Sequence, residues 1–293
     1  MPSRPVNKSR YSLEQRIFSA ESVLKRPKNL FFEMLRDAKE SYSTAVMLAA
    51  RDIKAEYRQS VLGIFWAFVP PIVLAAGLSY ARRSNVLNTG ETSIPYAAYV
   101  IIGMAFWQTF VASVQAPMRG LRSAKGMLCK VYFPRETIVL SEFLKVCFYF
   151  VFQLVLVIGV FIRFQIPLTW TACLALPALL VLILFGMACG MVLAPVGLLF
   201  EDVGNALGPF LALWMVLTPV LYPASSVSGF FHGILAWNPV APMIVSLREL
   251  TVGEPLTYAI GFALWVPGSM TVFLLAALYF RASVPFVIER WSA

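Results

Sequence analysis

The sequence is poor in charged residues, cysteine and histidine, and each scarcity excludes a class of protein. Charged residues make up 13% of the 293 positions and apolar residues 59%, whereas soluble domains carry about 25% charged and roughly 45–50% apolar residues. The single histidine, His232, has no second histidine with which to chelate zinc. The four cysteines show neither the CxxC spacing of a metal site nor a secreted disulfide framework. The composition therefore indicates a membrane protein without a metal centre.

Motifs that would supply energy or catalysis are also missing from the sequence. There is no G-x-x-x-x-G-K-[ST] phosphate-binding loop and no H-E-x-x-H zinc motif. Glu201 and Asp202 are adjacent, so on a helix their side chains would point about 100° apart, which argues against a carboxylate dyad. The apolar stretches lack the repeated carboxylates of proton-driven carriers. We therefore expect no catalytic residue and no cofactor in this chain, and a separate subunit as the energy source.

Six long apolar stretches are the main feature that the sequence does contain. A helix needs about 20 apolar residues to cross roughly 30 Å of hydrocarbon. The sequence therefore predicts an all-α integral membrane protein with six transmembrane helices. The predicted spans lie at residues 61–81, 94–116, 137–162, 170–198, 205–222 and 257–280. In the fourth span, Gly186, Gly190 and Ala194 have the small-xxx-small spacing that lets helices approach closely.

A further apolar region, about residues 226–252, is interrupted by Pro239 and Pro242. Its uninterrupted apolar runs are too short to span a bilayer, and it contains Arg248 and Glu249. We predict two short re-entrant helices on the outer side, between spans five and six, instead of a seventh crossing. Such helices need surrounding protein to shield their broken backbone.

Basic residues determine the predicted orientation. Twelve of the 24 Lys and Arg residues precede the first span and five lie between the second and third spans, while the predicted outer segments hold four. Since cytoplasmic loops are enriched in these residues, both termini are expected in the cytoplasm, beside a plasma (inner) membrane. The start of the sequence lacks the apolar core of a cleavable signal peptide. This distribution accounts for the net charge of +9 without a nucleic-acid partner.

The predicted segments divide the chain into four parts. A cytoplasmic extension (1–40) precedes an amphipathic helix (41–60), and the six-span domain (61–281) precedes a short cytoplasmic tail (282–293). The sequence does not indicate a role for the first 40 residues.

The amphipathic helix is predicted from its spacing. Arg51, Lys54 and Arg58 share one face. Apolar residues recur at spacings of three and four on another face, namely Tyr42, Val46, Ala49, Ala50, Ile53 and Tyr57. We expect the helix to lie in the membrane interface, either as a lipid anchor alone or also as a lever that contacts a cytoplasmic partner.

The loop between spans two and three, from Pro117 to Glu136, carries five cations and one acid. It contains a predicted helical stretch from Leu121 to Tyr132, which ends at Pro134. This segment either only fixes the topology or also docks on a cytoplasmic partner.

Two charged residues lie inside the third span. Glu142 and Lys145 are one helical turn apart, and charges within a span are costly unless they are paired or face a cavity. A mutual ion pair is the favoured interpretation, and a substrate contact is the alternative.

Aromatic residues make up 14% of the chain, and many lie at span ends, where interfacial belts are the default explanation. Others, including Phe65, Phe106 and Trp214, are candidates for lining a conduit, because aromatic faces stack on sugar rings. Core packing or an interfacial belt is the alternative for each of them.

Three blocks of the sequence form a recognisable combination. The first lies at the predicted amphipathic helix and the first span and consists of Arg51-Asp52-Ile53-Lys54, Tyr57-Arg58-Gln59-Ser60, Leu62-Gly63, Trp66 and Pro70. The second is Lys130-Val131-Tyr132-Phe133-Pro134-Arg135-Glu136, and the third combines Asn238-Pro239 with Arg248-Glu249. With these blocks, residues 42–290 resemble the permease subunits of type 2 ABC exporters of cell-surface polysaccharides, the group of O-antigen, teichoic acid and capsule exporters.

The resemblance implies a transport permease that is not itself an enzyme. It implies a homodimer with two copies of a cytoplasmic ABC ATPase, which binds ATP and Mg, and a long lipid-linked glycan, such as a polyprenyl-diphosphate-linked O-antigen, as substrate. Residues 41–60 would be the interface helix and about 119–133 the coupling helix, and the conduit would form between spans one, two and five of the two copies. The family usually has basic residues in the loop between spans four and five, where this chain has Phe200-Glu201-Asp202.

The resemblance also supplies candidate site residues. The conduit and its inner rim would include Arg51, Lys54, Arg58, Phe65, Trp66, Phe106, Trp107, Trp214 and Tyr222. The contacts with the ATPase would include Leu121, Arg122, Lys125, Met127, Lys130 and Tyr132.

Two rival functions are weighed against this one. The first is a chain of the same fold that exports a drug or lipid. The second is an intramembrane glycan polymerase or acyltransferase that uses His232, Arg248, Glu249 or Glu254. An enzyme of that kind would act without nucleotide.

Overall fold

The computed structural model describes residues 34, 36–37, 39–58, 63–86, 90–128, 135–227 and 229–292, and within these ranges it contains helices and no strand. The helices, in chain order, are α1 (Tyr42–Arg58), a 3₁₀ helix (Gly63–Ala67), α2 (Val69–Arg83), α3 (Tyr96–Leu128), α4 (Arg135–Phe164), α5 (Ala172–Leu199), α6 (Glu201–Leu217), a 3₁₀ turn (Ala224–Ser226), α7 (Phe230–Trp237), α8 (Val240–Val252) and α9 (Ala259–Ser292).

Five helical segments in the described part of the chain are long and apolar enough to cross a membrane. They are Phe65–Arg83, which includes α2, the whole of α4 and α5, and most of α3 and α9. The predicted fifth span corresponds to α6, whose 17 residues rise about 26 Å at 1.5 Å per residue. The chain is therefore an all-α integral membrane protein, as its sequence predicts.

Helix α5 forms the centre of the molecule. It is apolar on all sides and packs against α3, α8 and α9, as expected of a helix whose surface faces either other helices or lipid. The close approach of α3 depends on two glycines of α5. A Cβ atom at Gly186 would lie 2.7 Å from the Ser113 Cβ, and one at Gly190 would lie 2.8 Å from the Pro117 Cδ and would overlap the Val114 carbonyl oxygen. The small-residue spacing in this span is therefore a packing feature.

The loop predicted to begin at Pro117 is wrong in its first part, because α3 continues through Pro117 to Leu128. A proline removes one N–H from a helix, but neighbouring helices and side chains compensate within a bundle. Here the Pro117 ring packs on Gly190 of α5, which supports the continued helix. Residues 121–128 of the predicted helical stretch are therefore the C-terminal end of α3, and the rest of that stretch lies outside the described residues. The predicted tail, 282–293, is likewise helical through Ser292, as the end of α9.

The region after α6 contains the two short helices α7 and α8, which are separated at Asn238-Pro239. Pro239 precedes α8, and Pro242 lies in its first turn, where backbone N–H groups have no partner within the helix. Both prolines therefore fit the start of a helix and prevent one continuous helix. The chain beyond α8 turns at Gly253, whose φ of 91° is in the left-handed region that glycine adopts without strain.

We expect Gly190→Ala to destabilise the protein by about 1–3 kcal/mol, the usual cost of overpacking a core, because the added methyl group would overlap the Val114 carbonyl oxygen. The measurement is thermal unfolding of the purified protein in lipid nanodiscs. Gly159→Ala is the matched control, since a Cβ at Gly159 would meet nothing within 4 Å. Equal stability of the two variants would contradict the packing argument.

Candidate functional site

Helix α1 packs along the N-terminal half of α4, at Lys145 and Tyr149. Inner and outer denote the two sides of the membrane as the distribution of basic residues predicts them. The face that packs on the protein carries Ala45, Leu48 and Ala49, which are buried. Tyr42 and Val46, on the predicted apolar face, are instead 58% and 40% exposed. The apolar side of α1 is thus divided between protein contacts and a surface that is available to lipid, a division that the sequence spacing does not reveal.

A group of charged residues joins α1 to α4, and we call Asp52, Glu142 and Lys145 the inner charge cluster. The Lys145 Nζ lies 3.3 Å from the Asp52 Oδ2 and also contacts the Glu142 Oε1. Glu142 and Lys145 are only 1% and 8% exposed. Arg51 donates to Asp52 at 2.8 Å and 3.0 Å. Together with Arg51, whose side chain is 59% exposed, the cluster contains two cations and two carboxylates that alternate in space, so the charges of these four residues balance.

The predicted cationic face of α1 is accessible. Arg51, Lys54 and Arg58 are all exposed. Residues three and four apart lie on the same face of a helix, so the three side chains form one cationic row on the outside of α1. Such a row can bind phosphate groups through charge-assisted hydrogen bonds.

The predicted coupling residues occupy different environments at the inner end of α3. Lys125 is exposed, whereas Leu121 is 1% exposed and belongs to the core. Leu121 thus packs within this chain, and its contact with another subunit stays a prediction. The Met127 side chain, Lys130 and Tyr132 lie outside the described part of the chain.

Arg122 connects α3 to the junction of α5 and α6. Its guanidinium donates to the Gly197 carbonyl at 3.2 Å, in the last turn of α5, where carbonyl groups lack helical partners and favour a cation. The same guanidinium lies over Gly204 in α6, where a Cβ atom would overlap it. Arg122 thus stabilises an intramolecular junction, a role that the sequence analysis did not assign to it.

The predicted conduit aromatics separate into exposed and buried residues. Phe65 and Trp66 are 68% and 59% exposed at the start of the first span. Phe106 and Trp107 are each 3% exposed. Their rings pack within this chain, and their place in a conduit stays a prediction.

Trp214 is half-buried and its ring is fixed by contacts on two sides. It packs edge-to-face on Phe110, with ring centroids 5.5 Å apart, and its indole N–H donates to the Asn238 Oδ1 at 3.2 Å. Tyr222 is also half-buried, and its hydroxyl donates to the Val216 carbonyl at 2.9 Å.

Asn238 organises the outer end of the molecule. Its amide group donates to the Thr218 Oγ1 at 2.9 Å and to the Leu217 carbonyl at 3.3 Å. Its Oδ1 accepts from the Val240 N–H at 3.0 Å as well as from Trp214. One side chain therefore holds the end of α6 and the start of α8 together, whereas the sequence analysis singled out Asn238 only through a resemblance.

Arg248 performs a similar role from α8. Its guanidinium is buried, donates to the Pro219 carbonyl at 2.6 Å, and lies 3.7 Å from the centre of the Tyr99 ring, within the range of a cation–π contact. The Tyr99 hydroxyl in turn donates to the Tyr222 carbonyl at 3.0 Å. The chain that follows α6 is thus fixed through its backbone carbonyls.

Glu249 also has structural partners. It accepts from the Thr257 N–H at 2.9 Å and from the Thr257 hydroxyl. Burial raises the pKa of the Glu249 carboxyl above its usual range, and the donors from Thr257 partly oppose this rise. Arg248 and Glu249, both candidates in the enzymatic rival, are therefore used in holding the outer loops.

A second ionic group, which we call the N-terminal clamp, consists of Asp37, Glu136 and Arg281. The Arg281 Nη2 lies 3.0 Å from the Asp37 Oδ2, and its Nη1 contacts Glu136. Met34 is buried nearby and lines an apolar cavity of about 320 Å³ between α4 and α9. Met34 and Asp37, which precede α1, thus contact α4 and α9.

Comparison with known proteins identifies the group to which this arrangement belongs. The sequence profile of the ABC-2 type transporter family matches residues 45–252. The chain belongs to this family. The matched range runs from α1 to the end of α8, so it includes the inner charge cluster, Arg122, Asn238 and Arg248. The resemblance inferred from the three sequence blocks is thereby confirmed.

Relatives of this ABC-2 chain include two named O-antigen export system permease protein RfbA. The one from Myxococcus xanthus is 26% identical over 226 residues, which cover 74% of this chain and 84% of that protein. One from Klebsiella pneumoniae is 23% identical over 247 residues, which cover 84% and 94%. The polysialic acid transport protein KpsM of Escherichia coli is 21% identical over 256 residues, which cover 80% and 92%.

We expect Asn238→Ala to destabilise the protein by about 1–3 kcal/mol, because the Thr218 hydroxyl and the Trp214 indole N–H would lose their buried partner. Thermal unfolding in nanodiscs measures this loss, and a red shift of tryptophan fluorescence reports the release of Trp214. Asn205→Ala is the control, since Asn205 is exposed on α6. An unchanged midpoint and spectrum for Asn238→Ala would show that Asn238 is dispensable.

Proposed function

We propose that this chain is the permease subunit of an ATP-driven exporter of a lipid-linked polysaccharide in the plasma (inner) membrane. The observation that carries the proposal is the combination of ABC-2 family membership with relatives that are named for O-antigen export and polysialic acid transport. The chain would act as a homodimer with two copies of a cytoplasmic ABC ATPase. ATP and Mg would bind to that partner.

In the proposed topology, α6 crosses the membrane in addition to the five long segments and is the fifth of six spans in chain order. Helices α7 and α8 dip into the outer leaflet, and both termini lie in the cytoplasm. The bonds from Asn238 and Arg248 to the end of α6 support a protein-shielded re-entrant pair, because irregular backbone is tolerated at membrane depth only where protein or water satisfies it. The basic residues before α2 and at the inner end of α3 support this orientation.

The proposed conduit lies between two copies, along α2 and α6. In the most apolar 18-residue stretch of the first span, only about a tenth of the residues are buried within this chain. Its exposed side chains include Phe65, Trp66, Val69, Ile72 and Val73, and those of α6 include Phe210, Leu213 and Val216. These faces supply the apolar and aromatic surface that a second copy and a sliding glycan would contact.

Aromatic side chains at the outer end of α6 support a sugar substrate. Trp214, Trp237 and Asn238 line an open cleft of about 500 Å³, and Trp237 is 91% exposed. Indole rings offer large, rigid faces for stacking on sugar rings, together with an N–H donor.

The inner rim is proposed to attract the diphosphate of the lipid anchor. Arg51, Lys54 and Arg58 form the cationic row on α1, where charge-assisted hydrogen bonds to phosphate oxygens are possible. Anionic membrane lipids are the alternative ligand of these side chains.

In the proposed cycle, ATP binding closes the ATPase dimer, which pushes on α1 and on the inner end of α3. The spans then separate or tilt, and the sugars move along the aromatic path while the lipid anchor stays in or near the bilayer.

Export of a small amphiphile is a second candidate function, and one observation favours it. An apolar pocket of about 590 Å³ lies between the outer halves of α4 and α5 and is lined by residues that include Val157, Phe161 and Leu176. Its volume is within the range of drug-sized ligand sites. Depletion of the protein distinguishes the two functions, since only a polysaccharide exporter would leave glycan accumulated inside the cell.

The central prediction is that the chain co-purifies with an ABC ATPase and that lipid-linked glycan stimulates ATP hydrolysis by the complex in liposomes. The ATPase alone and the permease alone are the controls. Nucleotide hydrolysis or glycan synthesis by the isolated permease would refute the proposal, because the chain would then be an enzyme.

A second prediction concerns the cationic row. Lys54→Ala combined with Arg58→Ala should weaken the apparent affinity for a diphosphate-linked glycan about tenfold or more, because each contact between a charged group and phosphate contributes roughly 1.5–3 kcal/mol. Export assays in liposomes at varied glycan concentration measure the change.

The matched control for the cationic row is Arg36→Ala combined with Lys39→Ala. Both side chains are exposed, and the change in charge is the same. Normal affinity in both double variants would contradict a role in diphosphate binding, and equal losses in both would assign the effect to lipid attraction.

A further inference from the structure

The attachment of α1 to α4 is more extensive than a lipid anchor requires. Besides the bond between Asp52 and Lys145, the Tyr149 hydroxyl donates to Glu56, one turn further along α1. Before α1, Asp37 is bound to Arg281 in the N-terminal clamp. Polar contacts therefore hold this part of the chain at three points.

On α4, Lys145 and Tyr149 bind α1 directly, whereas Glu136 is linked to Asp37 only through their shared partner, Arg281 of α9. Lys145 and Tyr149 are one helical turn apart, or about 6 Å along α4. Two contacts on α4, together with the clamp before α1, restrain both the position of α1 and its rotation relative to α4.

The inner charge cluster also reaches α3. A Cβ atom at Gly120 would lie 2.6 Å from the Glu142 Cγ and 2.9 Å from its Oε1, so the Glu142 side chain lies directly against the α3 backbone at Gly120. Glu142 contacts Lys145, and Lys145 contacts Asp52. A continuous path of contacts thus leads from the inner end of α3 through α4 to α1.

Burial makes this path sensitive to separation of the helices. If α1 moved away from α4, Lys145 would lose one of its two carboxylate partners in an environment that is only 8% exposed. A buried cation that loses a partner is strongly destabilised. Motion of α1 together with α3 and α4 keeps every charge paired.

We infer that Lys145 is a positioning residue that fastens α1 to the inner ends of α3 and α4, so that the three helices move as one body when the ATPase pushes on them. This inference rests on the proposed function. It assigns the two cytoplasmic elements on which the ATPase would act to one rigid unit, and it gives Glu142 and Lys145 a mechanical role instead of a substrate contact.

The test uses the complete complex with its ATPase in liposomes and compares Asp52→Asn with Asp202→Asn. The first change removes only the carboxylate on α1 and leaves the contact between Glu142 and Lys145. The second makes the same chemical change at an exposed position at the start of α6. We expect Asp52→Asn to keep its ATP hydrolysis but to export about fivefold less glycan per ATP. This loss is at the lower end of the range that is typical for coupling between two sites. Asp202→Asn should match the wild type in both measurements.

Hydrogen exchange in the same complexes supplies a readout that does not depend on substrate. Amide exchange across Tyr42–Arg58 should become faster in Asp52→Asn, because α1 would open locally from α4, while exchange in α5 should stay unchanged. Lys145→Met should show both effects more strongly, and Lys145→Arg should retain coupling because it keeps a cation between the two carboxylates.

The possible failures are distinguishable. Absence of glycan export by the wild-type complex would refute the proposed function, and the exchange comparison would still test the attachment of α1. Wild-type export per ATP in Asp52→Asn and Lys145→Met, or unchanged exchange across α1 in either, would overturn the inference while leaving the proposed function in place. A variant that loses ATP hydrolysis and export in parallel would also count against it, because that pattern indicates general damage and not uncoupling.

Discussion

The constraint on which this structure depends is that a bilayer offers no water to a buried polar group, so the chain must supply a partner for each one. The long helices satisfy their own backbones. Several charged side chains within the helices form ion pairs across the fold, as Lys145 does with Asp52 and Glu142, and Arg281 with Asp37 and Glu136. Arg248 finds a carbonyl and an aromatic face instead of a carboxylate. These pairings determine which helices are joined and at which position along their length.

The pairings create two polar layers with an apolar centre between them. The inner layer joins α1 and the residues before it to α4 and α9, and the outer layer joins α8 to α3 and to the chain after α6. Between them, Phe110 stacks on Phe185 at 6.3 Å, and Phe185 packs edge-to-face on Trp265 at 5.2 Å. Polar contacts are directional and fix relative positions, whereas apolar packing permits sliding and tilting.

Several features of the site could be predicted from the sequence because they depend on local spacing. The cationic face of α1, the proximity of Glu142 and Lys145, and the proline break before α8 all follow from helical periodicity and backbone chemistry. Asp52 was not recognised as the partner of Lys145, because the two are 93 residues apart. Leu121 and Phe106 were assigned to surfaces because a single sequence does not show which side of an apolar helix meets a neighbour.

The sequence by itself determined that the protein is helical and membrane-embedded, approximately where its spans lie, and to which family it belongs. The length of an apolar stretch decides whether it can span a bilayer, and the distribution of basic residues decides its expected orientation. Both can be read from the sequence without knowledge of the packing. Only the tertiary structure decided that α3 continues through Pro117, that Arg122 reaches Gly197, and that Asn238 joins α6 to α8. Each of these depends on contacts between helices that are distant in the chain, and the energy of such contacts exists only once the helices have packed.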